Sequence, residues 1–418
     1  MLKRRVNFLM LGIFVILAGP AFAGKETTID GVLHIQNSAS PSQGVKTVNL
    51  EEVWRIGGED EEILFGLISK ICGDSDGNVY VLDAQLCHVH IYSPTGELLK
   101  TLFRQGEGPG EVQGPRDMLL MPDGSVACVE EFPGKITMVD MENNPKGSLI
   151  PGSEKPTEGG FTGLTAAAGG GDHIVISGEI SKPGDTPGTQ KRIYFLSGFK
   201  MSGEETANYM TLNSMFDFNN FTFIEKEHTP SFWWGFGVDA NGRTYVYADR
   251  DQYAITVFSP DGKVERIIER AYEPLKREQA DTDRLRRLYE SAVANPNLQV
   301  SFDLEETEPA IAHFQRGLQV TPDGQLWVLT SRGCRHQPQG IIATYDHFDA
   351  GGHFIEQVSF AGEGNGLSDT LFFLGNRRVV LVTGFIDALA AQFGSGTLTA
   401  EDDEEASPQQ VICYRLPE

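Results

Sequence analysis

Ser231-Phe232-Trp233-Trp234-Gly235-Phe236 is the densest aromatic stretch of the chain. An indole at a channel mouth can stack on a ligand, and the same ring can pack between sheets. Arg332, Arg335 and His336 follow a strand-like run. On a loop they suit a carboxylate or phosphate, through charge-assisted hydrogen bonds. Arg116 opens another strand-like run, with Asp117 as an adjacent partner. Arg116, Trp233, Trp234, Arg335 and His336 are therefore the ligand-binding candidates.

Asp83, Glu130 and Asp249 each end the second strand of a repeat. Carboxylates placed so around an axis would supply oxygen ligands to calcium or another divalent cation. Each would equally accept backbone N–H groups within its own loop. Glu130 and Asp249 are the candidate metal ligands; otherwise no cofactor is expected. His88 and His90 point the same way on a strand and lack a third ligand. Asp74, Asp76 and Asn78 imitate the opening of a calcium loop, but its twelfth position holds Gln85 rather than glutamate. Gly106 to Gly110 has the glycine density of a phosphate loop, yet no Gly-Lys-Ser follows and the next element reads as a strand. His-Glu-x-x-His is absent, and no catalytic residue is assigned.

The elements that must carry these residues repeat. A polar turn, an alternating strand, a short loop and a second strand recur. Gly73 to Asn78 leads to Val79–Asp83, Val89–Tyr92 and Ser93-Pro94-Thr95-Gly96. Pro122-Asp123-Gly124 leads to Val126–Val129 and Ile136–Asp140. Gly171-Asp172 opens a looser third copy. Asp239 to Gly242, Pro322-Asp323-Gly324 and Gly375-Asn376 open the fourth, fifth and sixth. Asp-Gly and Asn-Gly accept the positive φ that two-residue hairpin turns need. Alternating β-branched and aromatic residues beside them suit strands. Six four-stranded antiparallel blades predict an all-β, six-bladed propeller. Val45 to Trp54 is the expected outer strand that closes the ring against Val411 to Leu416.

Gly73 to Gly96, and Arg104 to Arg116 with Asp123-Gly124, resemble the NHL-repeat and related six-bladed propellers of exported bacterial proteins. Related propellers include gluconolactonase-like hydrolases, arylesterases and peptide-amidating lyases. The resemblance implies, for those enzymes, carboxylate, Asn or His metal ligands at the channel, a set toward which this chain offers Glu130, Asp249 and His313. A fold alone does not carry a function.

Tight turns lie on one face, so long insertions crowd the other. Gly178 to Gln190 reads as an extended loop and Thr211 to Ser231 as a connector. Gly384 to Gln410 reads as a loop holding the acidic run Glu401 to Glu405. Pro274 to Ala294 reads as helix, a helical insertion at about 273–295 between blades 4 and 5. Any ligand is expected on this elaborated face.

Composition bounds the setting. The 418 residues carry 34 Lys and Arg against 58 Asp and Glu, a formal charge of −24. Such a field disfavours nucleic acid or an anionic membrane as partner. Met1 to Ala23 has the charged start, apolar middle and Ala21-Phe22-Ala23 end of a cleaved signal. Residues 24–44 read as a flexible lead and 45–418 as one propeller domain. The expectation is a periplasmic or secreted binding protein, with no membrane span once the signal is removed. Its partner would be a small molecule, glycan or peptide, or another exported protein. The alternative is a metal-assisted hydrolase or lyase. Among the five cysteines, Cys72 and Cys87 share a repeat and have the option of pairing; buried free thiols are the ordinary case.

Overall fold

The computed structural model describes residues 24–58, 64–151, 160–293, 300–392 and 408–417. The signal-like start and the acidic run at 401–405 lie outside them.

Six antiparallel sheets follow one another around a ring. Blade 1 is Ile68–Gly73, Val79–Asp83, His88–Tyr92 and Leu98–Leu102, each strand paired with the next. Blade 2 is Pro115–Leu120, Val126–Glu130, Lys135–Val139 and Pro145–Leu149. Blade 4 runs Phe236–Val238, Thr244–Tyr247, Ala254–Phe258 and Val264–Arg270. Blade 5 runs Leu318–Val320, Leu326–Leu329, Ile341–Phe348 and Phe354–Ala361. The second strand of blades 1 and 2 is buried at every residue, because neighbouring blades cover both its faces. Asp-Gly and Asn-Gly do take the positive φ expected of them, from 77° to 84° at Gly77, Gly124, Gly242 and Gly324. The loop is one residue longer than predicted. Gly77 N–H donates to the Asp74 carbonyl, and Asp74 N–H to that of Asn78. That is a three-residue hairpin whose glycine closes a bulge.

Blade 3 departs most from expectation. Its strands Phe161–Gly170, His173–Pro183, Thr189–Phe199 and Glu205–Asp217 are twice the usual length. The segment expected as a loop, 178–190, is instead mostly ladder, paired without a break from Ile174 with Phe199 to Pro183 with Gln190. Charge on the outer half hid the alternation: Glu179 and Arg192, diagonal neighbours across the ribbon, pair at 3.3 Å. The expected connector after Thr211 is likewise strand as far as Asp217, then a short strand, Phe221–Ile224.

The ring closes through the N-terminal segment. Glu51–Gly57 is the outer strand of blade 6, after Thr370–Leu374, Arg378–Val382 and Gln410–Arg415. Trp54 and Ile56 are buried while Arg55 between them is exposed, a half-buried strand pattern. The predicted closing strand began at Val45, but the chain turns at Leu50. Val45–Asn49 runs parallel to the outer strand of blade 5 instead. Nor is the lead at 24–44 a flexible tail throughout. Lys25–Ile29 and Val32–Asn37 form a hairpin whose second strand extends blade 4 in parallel. Asn37 pins it to blade 5, donating to the Gly352 carbonyl and accepting from Phe354 N–H, both at 2.9 Å.

Four short helices are described: α1 (Glu225–His228), α2 (Gln279–Ala292), α3 (Ser331–Cys334) and α4 (Phe385–Gln392). Helix α2 falls within the predicted insertion. Beside it Val300–Asp303 pairs in parallel with Phe221–Ile224, so two distant insertions form one cap. Leu285, Leu288 and Tyr289 of α2 share a core with Phe216, Phe221 and Phe223.

All five cysteines are free thiols, four of them buried. Burial pushes Cys72 up to about 11 and Cys334 up to about 12. The expected result of thiol titration with an aromatic disulfide is slow reaction in buffer and five thiols per chain in denaturant. Three or fewer after denaturation without reductant would mean a disulfide that this fold does not contain.

Candidate functional site

A cavity of about 480 Å³ opens at the channel mouth, on the face of the connectors and insertions. Blades 1 to 3, the connectors before blades 4 and 5, and α4 within blade 6 build its wall. Ile68 and Ser69 come from the first strand of blade 1, Arg116 from that of blade 2, and Leu164 from that of blade 3. Trp233 and Trp234 precede blade 4, Arg316 precedes blade 5, and Phe385 stands on α4 within blade 6.

The tryptophans do not sit on a strand. Ser231–Trp233 is one turn of 3₁₀ helix, so adjacent side chains are not forced to opposite faces, and both reach the cavity. The turn is held by Ser231 Oγ donating to the Ala248 carbonyl and Ser177 Oγ to that of Trp233. Trp233 lies edge-on to Tyr194 at 5.1 Å, and Trp234 lies 5.1 Å from His313. Opposite them is an aromatic wall that was not anticipated. Phe216 and Phe221 stack at 5.1 Å and 18°, and Phe223 rests 4.5 Å from Tyr289. The signal was present in the sequence, as four phenylalanines between Phe216 and Phe223.

His228 sits among those rings, 4.3 Å from Phe216. Burial, and then the charge of Arg192, lowers it to about 4, so it is neutral at pH 7. Its Nδ1 accepts the Ile224 N–H at 2.9 Å, which leaves the proton on Nε2. His313, behind Trp234, is also lowered to about 4 by burial.

The wall's charges come largely in pairs. Arg116 Nε donates to Glu131 at 2.6 Å, and Arg192 Nη1 to Glu179 at 3.3 Å. Burial raises Glu179, with Arg192 opposing. The Arg192 guanidinium also lies over Phe216, at 4.1 Å.

Of the five ligand candidates, Arg116, Trp233 and Trp234 meet in this cavity; Arg335 and His336 do not. Arg335 is a half-buried structural cation, tied to Asp281 of α2 and, at 2.7 Å, to Glu308. His336 is exposed, 3.9 Å from Glu278. Arg332 donates to the carbonyls of Glu273 and Pro274. The partners of all three lie on the insertion.

The carboxylates at the strand ends are occupied locally. Asp83 accepts four backbone N–H groups, those of Gly66, Leu67, Gln85 and Leu86. Glu130 accepts the Gln113 N–H and the Thr137 hydroxyl, and Asp249 the Asp251 N–H and the Gln252 amide. Among the described residues no three His, Cys, Asp or Glu side chains gather as a metal would require. Gly73-Asp74-Ser75-Asp76-Gly77 has nucleophile-elbow spacing, but Ser75 lies in a hairpin between antiparallel strands, with no helix after it.

No helix among the described residues is long and apolar enough to cross a membrane. No protein-family model and no curated protein matches the chain. Among solved structures, it is similar to a member of the DUF4221 family from Bacteroides vulgatus ATCC 8482. The two are 11% identical over 89% of this chain and 99% of that one, with a TM-score of 0.48. A gluconolactonase from Xanthomonas campestris is 11% identical over 84% and 88%, with a TM-score of 0.40. Virginiamycin B lyase from Staphylococcus aureus is 8% identical over 86% and 98%, with a TM-score of 0.38. Likenesses of this degree say nothing about activity; the six-bladed architecture rests on the strand pairing itself.

Proposed function

We propose that this chain is an exported, non-catalytic binding protein that holds a small organic molecule at its channel mouth. One observation carries the reading: a cavity of about 480 Å³, walled by aromatic rings and roofed by α2. Ligand sites generally span roughly 300–1,000 Å³, with apolar walls and a few placed polar groups. Trp233, Trp234 and Phe223 offer ring surface, while Arg116 and Arg192 offer donors at the edges. Support for a non-catalytic role comes from the wall's chemistry. Arg116 and Arg192 pair with Glu131 and Glu179, and no wall hydroxyl among the described residues is hydrogen-bonded to a histidine. Export rests on the pattern of Met1 to Ala23.

Native mass spectrometry of the protein purified from its export compartment tests this directly. The expected result is an organic adduct on the wild type and none on Leu288→Trp, whose larger side chain would fill the cavity from α2. An adduct-free chain whose melting temperature no compound of a fragment library raises would defeat the reading. Turnover of a lactone or ester, lost in Leu288→Trp, would replace it with the catalytic alternative.

A further inference from the structure

The floor of the cavity has a charge that its walls do not cancel. Arg316 belongs to the turn before blade 5, and its guanidinium crosses the channel. Nη2 donates to the Ser69 carbonyl of blade 1 at 3.2 Å, and Nη1 lies 3.5 Å from Asp117 of blade 2. Blade 2 stands opposite blade 5 in a ring of six. Asp117 is fully buried, and its nearer cation is Lys70 Nζ, at 3.2 Å. It also accepts the N–H groups of Met118 and Ala167. One carboxylate therefore faces two cations. The remaining charges of the wall balance, Arg116 against Glu131 and Arg192 against Glu179. Among the described residues, the cavity thus keeps one surplus positive charge, at its floor.

Two further observations mark the same spot. Ser69 Oγ is buried and has no hydrogen-bond partner among the described residues. Arg316 itself has φ of 50°, a left-handed conformation that a long side chain rarely holds. Strain of this kind concentrates where a side chain must point in one direction. Away from the floor, part of the wall is apolar: Phe216, Phe221, Phe223 and Leu288, with the ring of Tyr289.

Resting on the binding reading above, we infer that the ligand is an amphipathic carboxylate. A single anionic head meets Arg316 and the Ser69 hydroxyl, and an apolar or aromatic body lies along the phenylalanine wall. The overall charge of −24 opposes approach of anions from a distance, so the selection is made inside the cavity.

Two probes of one shape test the charge: 1-naphthaleneacetate and its neutral amide, titrated calorimetrically into the mature protein. The expected result is that the carboxylate binds about tenfold more tightly, as charge-assisted hydrogen bonds are the stronger. Arg316→Asn should erase that preference, because asparagine tolerates the left-handed backbone but brings no charge. Equal binding of both probes to the wild type, or a preference that survives in folded Arg316→Asn, overturns the inference. If both bind equally and Leu288→Trp abolishes both, the binding cavity stands and only the carboxylate fails. If neither binds at millimolar concentration, the carboxylate inference fails, and the adduct and fragment-library measurements decide the binding reading separately. The wild-type comparison needs no variant, so it decides even where Arg316→Asn does not fold.

Discussion

Glu225→Gln destabilises the protein by about 3–5 kcal/mol at neutral pH, the usual range for removing one partner of a buried ion pair. Glu225 of α1 is 3% exposed. It receives Arg277 Nη1 and Nη2 at 2.6 and 2.7 Å, Arg250 Nη2 at 3.1 Å and the Glu305 N–H at 2.9 Å. The amide would leave two buried guanidinium groups without their shared counter-charge. Nothing nearby replaces it in full. Glu308 is 3.4 Å from Arg277 but is shared with Arg335, which in turn holds Asp281 of α2. This knot joins the cap, the helical insertion and blades 4 and 5. Its loss loosens the roof of the cavity as well as the core.

The pH dependence has a definite sign. Burial pushes the Glu225 carboxyl up, but the Arg277 hydrogen bonds and the two guanidinium charges outweigh it, and the group is held below its ordinary value. An acid depressed in the folded state stabilises above its unfolded pKa, about 4.3, and loses that contribution as pH falls through the folded one. Urea denaturation of wild type and Glu225→Gln, at pH 7 and stepwise below pH 4.5, should show a gap that narrows with acid. A difference under about 1 kcal/mol at pH 7 would mean that the knot is not closed in solution.

A chain starting at Gly58 loses cooperative unfolding altogether, whereas one starting at Ser38 keeps it with a lower melting temperature. Residues 51–57 supply the outer strand of blade 6, and Trp54 and Ile56 pack in one core with Val411 and Cys413. Without them the first and last blades share no strand, and the ring is open. Removing only 24–37 peels the hairpin from blade 4. It exposes the site of Ile35, 1% accessible, and breaks the two Asn37 bonds to blade 5. That change should cost roughly 3–5 kcal/mol, from one aliphatic side chain and two buried hydrogen bonds. Calorimetry of the two truncations separates closure from reinforcement. A single sharp transition near the wild-type temperature in the shorter chain would show that the ring closes without its shared strand.

The number of blades was legible because its determinants are local. An Asp-Gly turn flanked by alternating apolar residues specifies a hairpin within about a dozen positions, and Asp74-Ser75-Asp76-Gly77 does so here without reference to the rest of the chain. The cleft-bearing face was legible for a related reason: short turns and long connectors alternate along a meander. Blade 3 was less so, since Glu179 and Arg192 satisfy each other across the ribbon and so interrupt the apolar rhythm that marks a strand. Tertiary structure alone decided the partners of charged residues. Arg335 has the composition of an anion site, yet Asp281, 54 positions away, takes its charge. Arg316 stands in an ordinary loop by sequence, and only closure of the ring brings Ser69 and Asp117 to its guanidinium. A turn is a property of four or five neighbouring residues, whereas an ion pair across a channel depends on where six sheets place their inner edges.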